Sequence, residues 1–298
     1  MNPLSWAALA VIVGAVAFSV WRRALLSLTF AIAIVAVFLL EYASVLVPTL
    51  GTPGVLVELA WTYVPSRGLV SPPWTWFTTI FVHAGLSHLI LNMLGFLLIT
   101  PLLEERIGTV RWAVVFFLGA LFGELVFGIA RYDTGFILVG ASGGLMAVLG
   151  AFARLYPRER VTLFLPLPGL PSVPVLWIAI FYLLLSFELS ASPFGGIAYE
   201  AHIGGLVFGL VATPLVMRLP AGRVAAKLAP LNVAVLEPLA TTRELRQILD
   251  ELKVADVVEV RAAWLEKFAA NLPCPTCAGP VRLRGRALRS KCGWRQPL

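Results

Sequence analysis

Seven apolar stretches constrain the fold of this chain of 298 residues more than any other feature. They run over residues 4–20, 24–46, 84–103, 112–130, 138–155, 173–190 and 198–217. A helix needs about 20 apolar residues to cross the roughly 30 Å hydrocarbon core of a bilayer, so the first and fifth stretches are short for that purpose. Hydrophobic residues make up 59% of the chain and charged residues only 13%, whereas a soluble domain carries about 25% charged residues. The sequence therefore predicts an all-α, multi-pass membrane protein.

The basic residues predict how these helices are oriented, because Lys and Arg collect in cytoplasmic loops. Seven spans place alternate loops on opposite sides of the membrane, and one set of loops holds only Arg67 and Arg131. The other set holds Arg22, Arg23, Arg106, Arg111, Arg154, Arg158, Arg160, Arg218, Arg223 and Lys227. This bias predicts a cytoplasmic C-terminal tail and an external N-terminus. It also accounts for the net charge of +7 without a nucleic-acid partner.

The first apolar stretch is predicted to be an extra span rather than a signal peptide, because it lacks a basic start and a small-residue cleavage site. Residues 1–23 would then precede a six-helix core over 24–218. The connection over 47–83 is long, external and rich in Pro and Trp. A loop of this length is often functional, but a plain surface loop with aromatics at the membrane interface fits the composition equally well.

All three histidines lie at the outer ends of predicted spans. They are His83, His88 and His202, and Asn92 follows His88 by four residues, which puts the two on one helix face. Ionisable groups within membrane helices are costly, so each is a candidate for function. A lone histidine is often a packing residue, but three at one level together with Asn92 favour a site. For Glu124, a structural hydrogen bond is favoured over a place in a cavity wall.

A glycine-flanked serine opens the short fifth stretch, in the order Gly140-Ala141-Ser142-Gly143-Gly144. The string matches the Gly-x-Ser-x-Gly elbow of soluble hydrolases, but that elbow follows a strand and no strand is expected here. The alternative is a patch of small residues for close helix packing, and the two roles are compatible. The last stretch predicts the facing helix, since Ala201, Gly205 and Gly209 repeat every four residues beside His202.

These motifs resemble those of the rhomboid proteases, in order, spacing and placement over residues 24–218. The matching residues are His83-(x4)-His88-(x3)-Asn92, Gly140-x-Ser142-Gly143, Ala201-His202-x-x-Gly205 with Gly209, and Glu104-x-Arg106. The resemblance implies a Ser–His dyad without a third acidic member, in which Ser142 is the nucleophile and His202 the general base. It also implies an oxyanion hole of His88, Asn92 and the Ser142 backbone N–H. The residues in supporting roles would be His83, Gly140, Gly143 and Gly205.

The resemblance further implies transmembrane segments of other membrane proteins as substrates, small residues at the cut, and no cofactor for catalysis. Residues 47–83 would lie partly in the outer leaflet, and residues 190–198 would cover a water-filled cavity. Two positions depart from the family pattern. Thr75 follows Trp74 where an arginine is common, and Met146 stands where many members have an aromatic ring that stacks on the catalytic histidine. A thioether can still pack against an imidazole.

Two other classes of function are open. A rhomboid-like pseudoprotease would bind and escort membrane helices without cutting them, but such relatives usually lack the serine or the histidine, and both are present here. A transporter or channel would tend to show inverted repeats or interrupted helices in paired positions, and the sequence shows no such repeat.

The tail over 219–298 predicts a soluble, mostly helical segment that ends in a cysteine-containing stretch. Helical periodicity over 241–270 places Leu245, Ile248, Leu249 and Leu252 on one face, and Thr242 stands near the helix start.

Cys274, Cys277 and Cys292 are the only cysteines of the chain, and their odd number argues against a disulfide framework. Their order is typical of a zinc ribbon that lacks one ligand, since Arg295 stands where a fourth cysteine is expected. The segment either binds zinc with a borrowed fourth ligand or binds no metal. A cluster of cations around it predicts contact with anionic lipid headgroups rather than nucleic acid. These cations are Arg282, Arg284, Arg286, Arg289 and Lys291.

Overall fold

The computed structural model describes residues 3–46, 58–162, 172–190, 197–222, 232–254, 258–284 and 287–298. Several predicted features fall partly outside these ranges: residues 47–57 of the long connection, residues 191–196 of the covering segment, and the cations Arg223, Lys227 and Arg286. The chain divides into two compact units, Met1–Lys227 and Leu228–Leu298. Each unit has a hydrophobic core of its own.

Helices make up most of the first unit, and one lies at each predicted apolar stretch. They are α1 (Pro3–Arg22), α2 (Leu26–Leu46), α3 (Leu86–Ile107), α4 (Thr109–Ala130), α5 (Ser142–Leu155), α6 (Val175–Ser190) and α7 (Tyr199–Val216). Among the described residues, α1, α2, α3, α4 and α7 are long and apolar enough to cross a membrane, while α5 and α6 are shorter apolar helices. The short fifth stretch is therefore confirmed as a helix, of 14 residues, that begins at Ser142.

The first unit also contains short strands, so the structure is mostly rather than purely helical. They are β1 (Trp61–Val64), β2 (Gly68–Leu69), β3 (Phe136–Leu138), β4 (Arg160–Thr162) and β5 (Ser172–Pro174). The first three form one antiparallel sheet in the order β2-β1-β3, and β4 pairs with β5. The expectation that no strand precedes Ser142 is wrong, because β3 ends four residues before it. The sheet is nevertheless antiparallel and small, unlike the sheet that carries the elbow of soluble hydrolases.

α5 is the innermost helix of the first unit, since residues 143–153 are all buried. Small residues let α7 approach it closely. A β-carbon added at Gly205 would lie 2.1 Å from the carbonyl oxygen of Gly143, and one added at Gly209 would lie 2.0 Å from that of Ala147. The predicted small-residue face of the last helix therefore packs directly on the backbone of the serine helix, as close helix contacts in membranes require.

A buried acidic side chain ties α3 to the start of α2. Glu104 is fully buried, and its carboxyl oxygens accept hydrogen bonds from the backbone N–H groups of Leu26 and Ser27 and from the Thr109 hydroxyl, each at 2.8 Å. The first N–H groups of a helix lack intrahelical partners and lie at the positive end of its dipole. Glu104 thus supplies from another helix the acceptor that the start of α2 needs.

Arg106 ties the same end of α3 to the end of α5. Its guanidinium pairs with Glu159 at 2.9 Å. It also lies over the rings of Phe152 and Tyr156, 5.3 and 4.8 Å from their centroids, in cation–π geometry. The Glu-x-Arg turn therefore joins α3 to α2, α4 and α5 at one end of the unit.

The second unit consists of helices followed by a small antiparallel sheet. Its elements are α8 (Arg243–Val254), α9 (Val258–Asn271), β6 (Val281–Arg284), β7 (Ala287–Ser290) and β8 (Arg295–Pro297), with the sheet in the order β6-β7-β8. The sheet carries part of the cysteine segment.

The predicted start and apolar face of α8 are confirmed. Leu245, Ile248, Leu249 and Leu252 are all buried in the core of the second unit. The Thr242 hydroxyl accepts a hydrogen bond from the Leu245 N–H at 3.2 Å, which is the usual pattern of an N-terminal helix cap.

Candidate active site

Ser142 is the first residue of α5, and hydrogen bonds fix the loop before it. Gly140 has a φ of +116°, which glycine tolerates and other residues rarely adopt. Its N–H donates to the carbonyl oxygen of Thr79 at 3.0 Å, and the Thr79 hydroxyl donates to the carbonyl oxygen of Leu138. The helical turn around Thr79 therefore holds the segment that presents the serine.

The side chains of Ser142 and His202 meet, as the sequence predicts. Nε2 of His202 lies 2.7 Å from Oγ of Ser142, a normal hydrogen-bond distance. The contact of α5 with α7 through Gly143 and Gly205 brings the two residues together. A ring nitrogen in this position can take the hydroxyl proton, which is how a neutral serine becomes a nucleophile.

Tyr199 contacts the ring of His202 from the preceding turn of α7. The two ring centroids are 6.2 Å apart and the planes meet at 87°, an edge-to-face arrangement. This contact was not predicted, because the family pattern places the aromatic ring at position 146, where a buried methionine stands. The signal was the spacing of three residues between Tyr199 and His202, which places both on one helix face.

His88 reaches the same point from α3. A β-carbon added at Gly140 would lie 2.8 Å from Cε1 and Nε2 of His88 and 4.0 Å from Oγ of Ser142, so these three residues are immediate neighbours. Asn92 is buried one turn further along α3, and its amide donates to the His88 carbonyl oxygen at 3.0 Å. The His88 ring thus lies next to Ser142 at the N-terminus of α5.

His83 is buried against His88, with ring centroids 5.0 Å apart. Burial, and after it the neighbouring His88, lower the pKa of His83 to about 3. The His83 ring is therefore neutral at physiological pH, and its position behind His88 suits a supporting role.

A small cavity of about 20 Å³ lies beside Ser142. Small residues form much of its wall, namely Ala120, Gly140, Gly143, Ala198 and Ala201. Besides Ser142, its polar side chains are Thr79 and Glu124. Glu124 is only 4% exposed, and its Oε2 has no hydrogen-bond partner among the described residues. The structure thus places Glu124 in the cavity wall, the less favoured of the two expected positions.

Three thiols come together in the second unit. The Sγ atoms of Cys274, Cys277 and Cys292 all lie within 4.8 Å of one another, and those of Cys274 and Cys292 are 3.5 Å apart. Sulfur atoms bound tetrahedrally to one zinc ion at about 2.3 Å are about 3.8 Å apart. The cluster could therefore hold a metal ion.

Burial of the Cys274 thiol acts to raise its pKa, but hydrogen bonds outweigh this effect. They come from the backbone N–H of Thr276, the hydroxyl of Ser290, the backbone N–H of Cys277 and the Cys292 thiol, and together they lower the pKa of Cys274 to about 6. A thiol of this kind is readily deprotonated, which is the form that binds metals.

Ser290 lies beside the three thiols. Its Oγ is 3.7 Å from Sγ of Cys277, whereas Arg295 is exposed at the start of β8. In the second turn of the ribbon, the N–H of Ser290 donates to the Trp294 carbonyl oxygen and the N–H of Gly293 donates to that of Ser290. The turn that begins at Ser290 therefore brings a hydroxyl next to the thiols, and a fourth ligand near residue 295 stays a prediction.

Comparison with known proteins places the helical unit in one family. The model of the rhomboid domain family matches residues 71–219. The chain is 31% identical over 137 residues to rhomboid-like protease 3 of Toxoplasma gondii, covering 46% of this chain and 49% of that protein. It is 29% identical over 165 residues to the rhomboid protease GlpG of Yersinia pestis (strain Pestoides F), covering 54% of each. The chain spans about half the length of the curated relatives it matches.

The family match extends over half of the chain and includes α3 to α7 with the residues that surround Ser142. The apolar helices α3, α4 and α7 of the matched part are long enough to cross a bilayer. The chain is therefore an integral membrane protein that belongs to the rhomboid family.

Proposed function

We propose that this chain is an intramembrane serine endopeptidase that cleaves transmembrane segments of other membrane proteins with a Ser–His dyad. The observation that carries the proposal is the 2.7 Å contact between Nε2 of His202 and Oγ of Ser142, a serine that borders a cavity. That two curated relatives are named as proteases supports it.

In the first half of the reaction, His202 takes the hydroxyl proton as Oγ of Ser142 bonds to the carbonyl carbon of the scissile peptide. The carbonyl π electrons move onto its oxygen. Collapse of this intermediate breaks the C–N bond, and His202 gives its proton to the leaving amine. An acyl ester on Ser142 is left, and water attacks it with His202 again as the base.

The oxyanion formed in each half would be stabilised by His88, Asn92 and the backbone N–H of Ser142. The N–H of Ser142 is suited to this role because the start of a helix carries unpaired donors and the positive end of the dipole. Asn92 has two amide hydrogens and uses one on the His88 carbonyl oxygen at 3.0 Å, which leaves the second for the substrate. Loss of one such donor typically lowers kcat by about 10²–10³-fold.

The supporting residues are proposed to act by packing, since they hold the catalytic side chains in position and do not contact the substrate. Gly140 makes room for the His88 ring, and His83 packs on that ring from the other side. Gly143 and Gly205 let the backbones of α5 and α7 approach, which brings the dyad within hydrogen-bond distance.

We further propose that residues 24–218 form a six-helix core, that residues 1–23 add an N-terminal span, and that residues 219–298 form a cytoplasmic tail. The distribution of Lys and Arg among the loops supports this orientation, with the N-terminus outside.

The tail is proposed to contact anionic lipid headgroups. Arg282, Arg289 and Arg295 lie directly opposite one another on the three neighbouring strands of the tail sheet, and all three are exposed. Like charges side by side on one face repel each other unless anions lie between them. Flotation with vesicles of phosphatidylserine and phosphatidylcholine should show less binding of a triple Arg→Ala variant than of the wild type, and equal binding would exclude this contact.

Catalysis needs no cofactor in this proposal, and a zinc ion would serve the tail alone. Cys274, Cys277 and Cys292 would supply three thiolates, and Ser290 would occupy the fourth position. Zinc measured in the purified full-length protein should be about one per chain in the wild type and close to none in Cys277→Ala. Ser290→Cys should bind zinc more tightly. A wild-type protein without zinc after growth in zinc-supplemented medium would contradict the proposal.

The protease proposal is tested by cleavage of a model transmembrane substrate in liposomes. The wild type should cleave it, whereas folded Ser142→Ala and His202→Ala should not. Ser186→Ala is the matched control, because Ser186 is a buried serine of α6 that does not line the cavity. Cleavage that persists in purified Ser142→Ala would exclude the dyad. A wild type that binds the substrate without cutting it would indicate a pseudoprotease.

A further inference from the structure

Glu124 borders the same cavity as Ser142, yet no step of the proposed reaction uses it. The side chain is 4% exposed, and Oε2 lacks a partner among the described residues. Burying a polar atom without a hydrogen bond is unfavourable. Because Glu124 lies beside the nucleophile, we expect a hydrogen-bond donor on the substrate to pair with this buried oxygen.

The residues of α4 that precede Glu124 pack against the two helices that carry the dyad. A β-carbon added at the preceding Gly123 would lie 2.5 Å from the carbonyl oxygen of Ala201, the residue before His202. One turn earlier, Ala120 lies against Gly143, the residue after the serine. The wall that carries Glu124 is thus in contact with both helices of the dyad.

The reaction geometry defines which part of a substrate enters this space. Attack by Oγ brings the scissile carbonyl carbon within bonding distance of Ser142, and the Cβ of the residue that owns this carbonyl lies only two bonds beyond that carbon. That side chain must therefore occupy space next to Ser142. The alanines and glycines of the cavity wall leave room for a short side chain there.

Glu124 offers such a side chain an acceptor whatever its own protonation state. A carboxylate has two acceptor oxygens, and a protonated carboxyl group keeps one carbonyl oxygen that accepts. A donor on the substrate would satisfy the buried oxygen, whereas an alkyl group would leave it unpaired.

We propose that Glu124 is a specificity residue, which selects a short side chain with a hydrogen-bond donor (serine, threonine or cysteine) on the N-terminal side of the scissile bond. This inference rests on the proposed protease activity. Alanine fits the space but leaves the carboxyl group unpaired. Leucine neither pairs with it nor fits between the small residues of the wall.

The test compares cleavage of transmembrane substrates that differ only at this position and carry serine, alanine or leucine. The full-length wild type should cleave the serine substrate with a kcat/KM about tenfold above that of the alanine substrate, the discrimination that one hydrogen bond to a buried carboxyl group provides. In Glu124→Leu the ratio should fall to about one. Glu124→Gln should lie between, because its amide oxygen still accepts.

Leu125→Ala is the matched control, since Leu125 is the next residue of α4 but is 47% exposed and does not line the cavity. Its serine-to-alanine ratio should equal that of the wild type. A change in folding alone would lower kcat/KM for all substrates by one factor and leave the ratio unchanged.

An unchanged ratio in both Glu124 variants, with cleavage retained, would overturn the specificity role while the protease proposal stands. A wild type that prefers alanine to serine would overturn it as well. A folded wild type that cleaves none of the three substrates would refute the protease proposal, and the specificity role with it.

Discussion

His202 owes its position to two neighbours on its own helix. Tyr199 contacts the imidazole edge to face at 6.2 Å, and Gly205 lets α7 come within reach of the serine helix. Met146, which stands where many rhomboid proteases have an aromatic ring, is buried in the core of the first unit. The aromatic contact with His202 therefore comes from Tyr199 on α7, whereas the family pattern places it at position 146 on α5.

Replacement of Tyr199 should disturb the angle of the dyad. An edge-to-face pair contributes about 0.5–1.5 kcal/mol, so Tyr199→Ala should lower kcat by up to about tenfold with little change in KM, and Tyr199→Phe should restore it. Steady-state cleavage of one substrate by the three proteins measures this. If Tyr199→Ala keeps the wild-type kcat while Met146→Ala loses it, Met146 and not Tyr199 orients the histidine.

A side chain at Gly205 should separate the two dyad helices. The added β-carbon would meet the Gly143 carbonyl oxygen at 2.1 Å, so the backbones must move apart. Overpacking of this kind costs about 1–3 kcal/mol, and Gly205→Ala should lower both Tm and activity. Gly14→Ala is the control, since nothing lies within 4 Å of that position. Equal behaviour of the two variants would show that α5 and α7 are not in close contact.

The residues of the proposed sites differ in how well their roles could be predicted from the sequence. The motif residues could be predicted because their order and spacing on three spans are distinctive. The exposure of Glu124 to the cavity could not, because it depends on which face of α4 meets α5 and α7. Ser290 could not be predicted for a similar reason. A serine is not a typical zinc ligand, and its position beside the thiols depends on how the turns of the sheet fold.

Among the elements, the helices followed from apolar length alone, because a bilayer demands long uninterrupted stretches. The strands did not, since β3 has only three residues and its partner β1 is remote in sequence, with Trp61 opposite Leu138. Strands of this length show no useful alternation. The short sheet nonetheless helps to position the nucleophile, because β3 leads directly into the loop before Ser142.

The start of α2 depends on a side chain from α3. In Glu104→Gln, an amide donor would face one of the two N–H groups that now share the carboxyl group. A hydrogen bond to a charged group contributes about 1.5–3 kcal/mol, so the Tm in detergent should fall clearly. Glu188→Gln, at an exposed position of α6, should leave the Tm unchanged. A similar Tm for both variants would mean that Glu104 does not stabilise the start of α2.

At the scale of the whole molecule, every residue of the proposed site lies within Met1–Lys227, and every cysteine lies within Leu228–Leu298. The sequence predicts a tail from residue 219, because the composition changes after the last apolar stretch. The side of the membrane that we propose for each part rests on the distribution of Lys and Arg alone, since contacts within the folded units carry no information on orientation.

The proposed orientation can be tested with the native cysteines, because all three lie in the tail and Cys277 and Cys292 are exposed. A membrane-impermeant maleimide should leave intact cells unlabelled and should label inverted membrane vesicles after removal of bound metal. Strong labelling of intact cells would place the tail outside and reverse the proposed topology.

The central claim is that Ser142 is a nucleophile activated by His202, and a mechanism-based serine probe tests it most directly. A fluorophosphonate should label the folded wild type and Ser186→Ala on one peptide that contains Ser142, as mapped by mass spectrometry. Labelling should be absent in Ser142→Ala and strongly reduced in His202→Ala. A folded wild type that stays unlabelled, or a Ser142→Ala protein that is labelled as well as the wild type, would contradict the account.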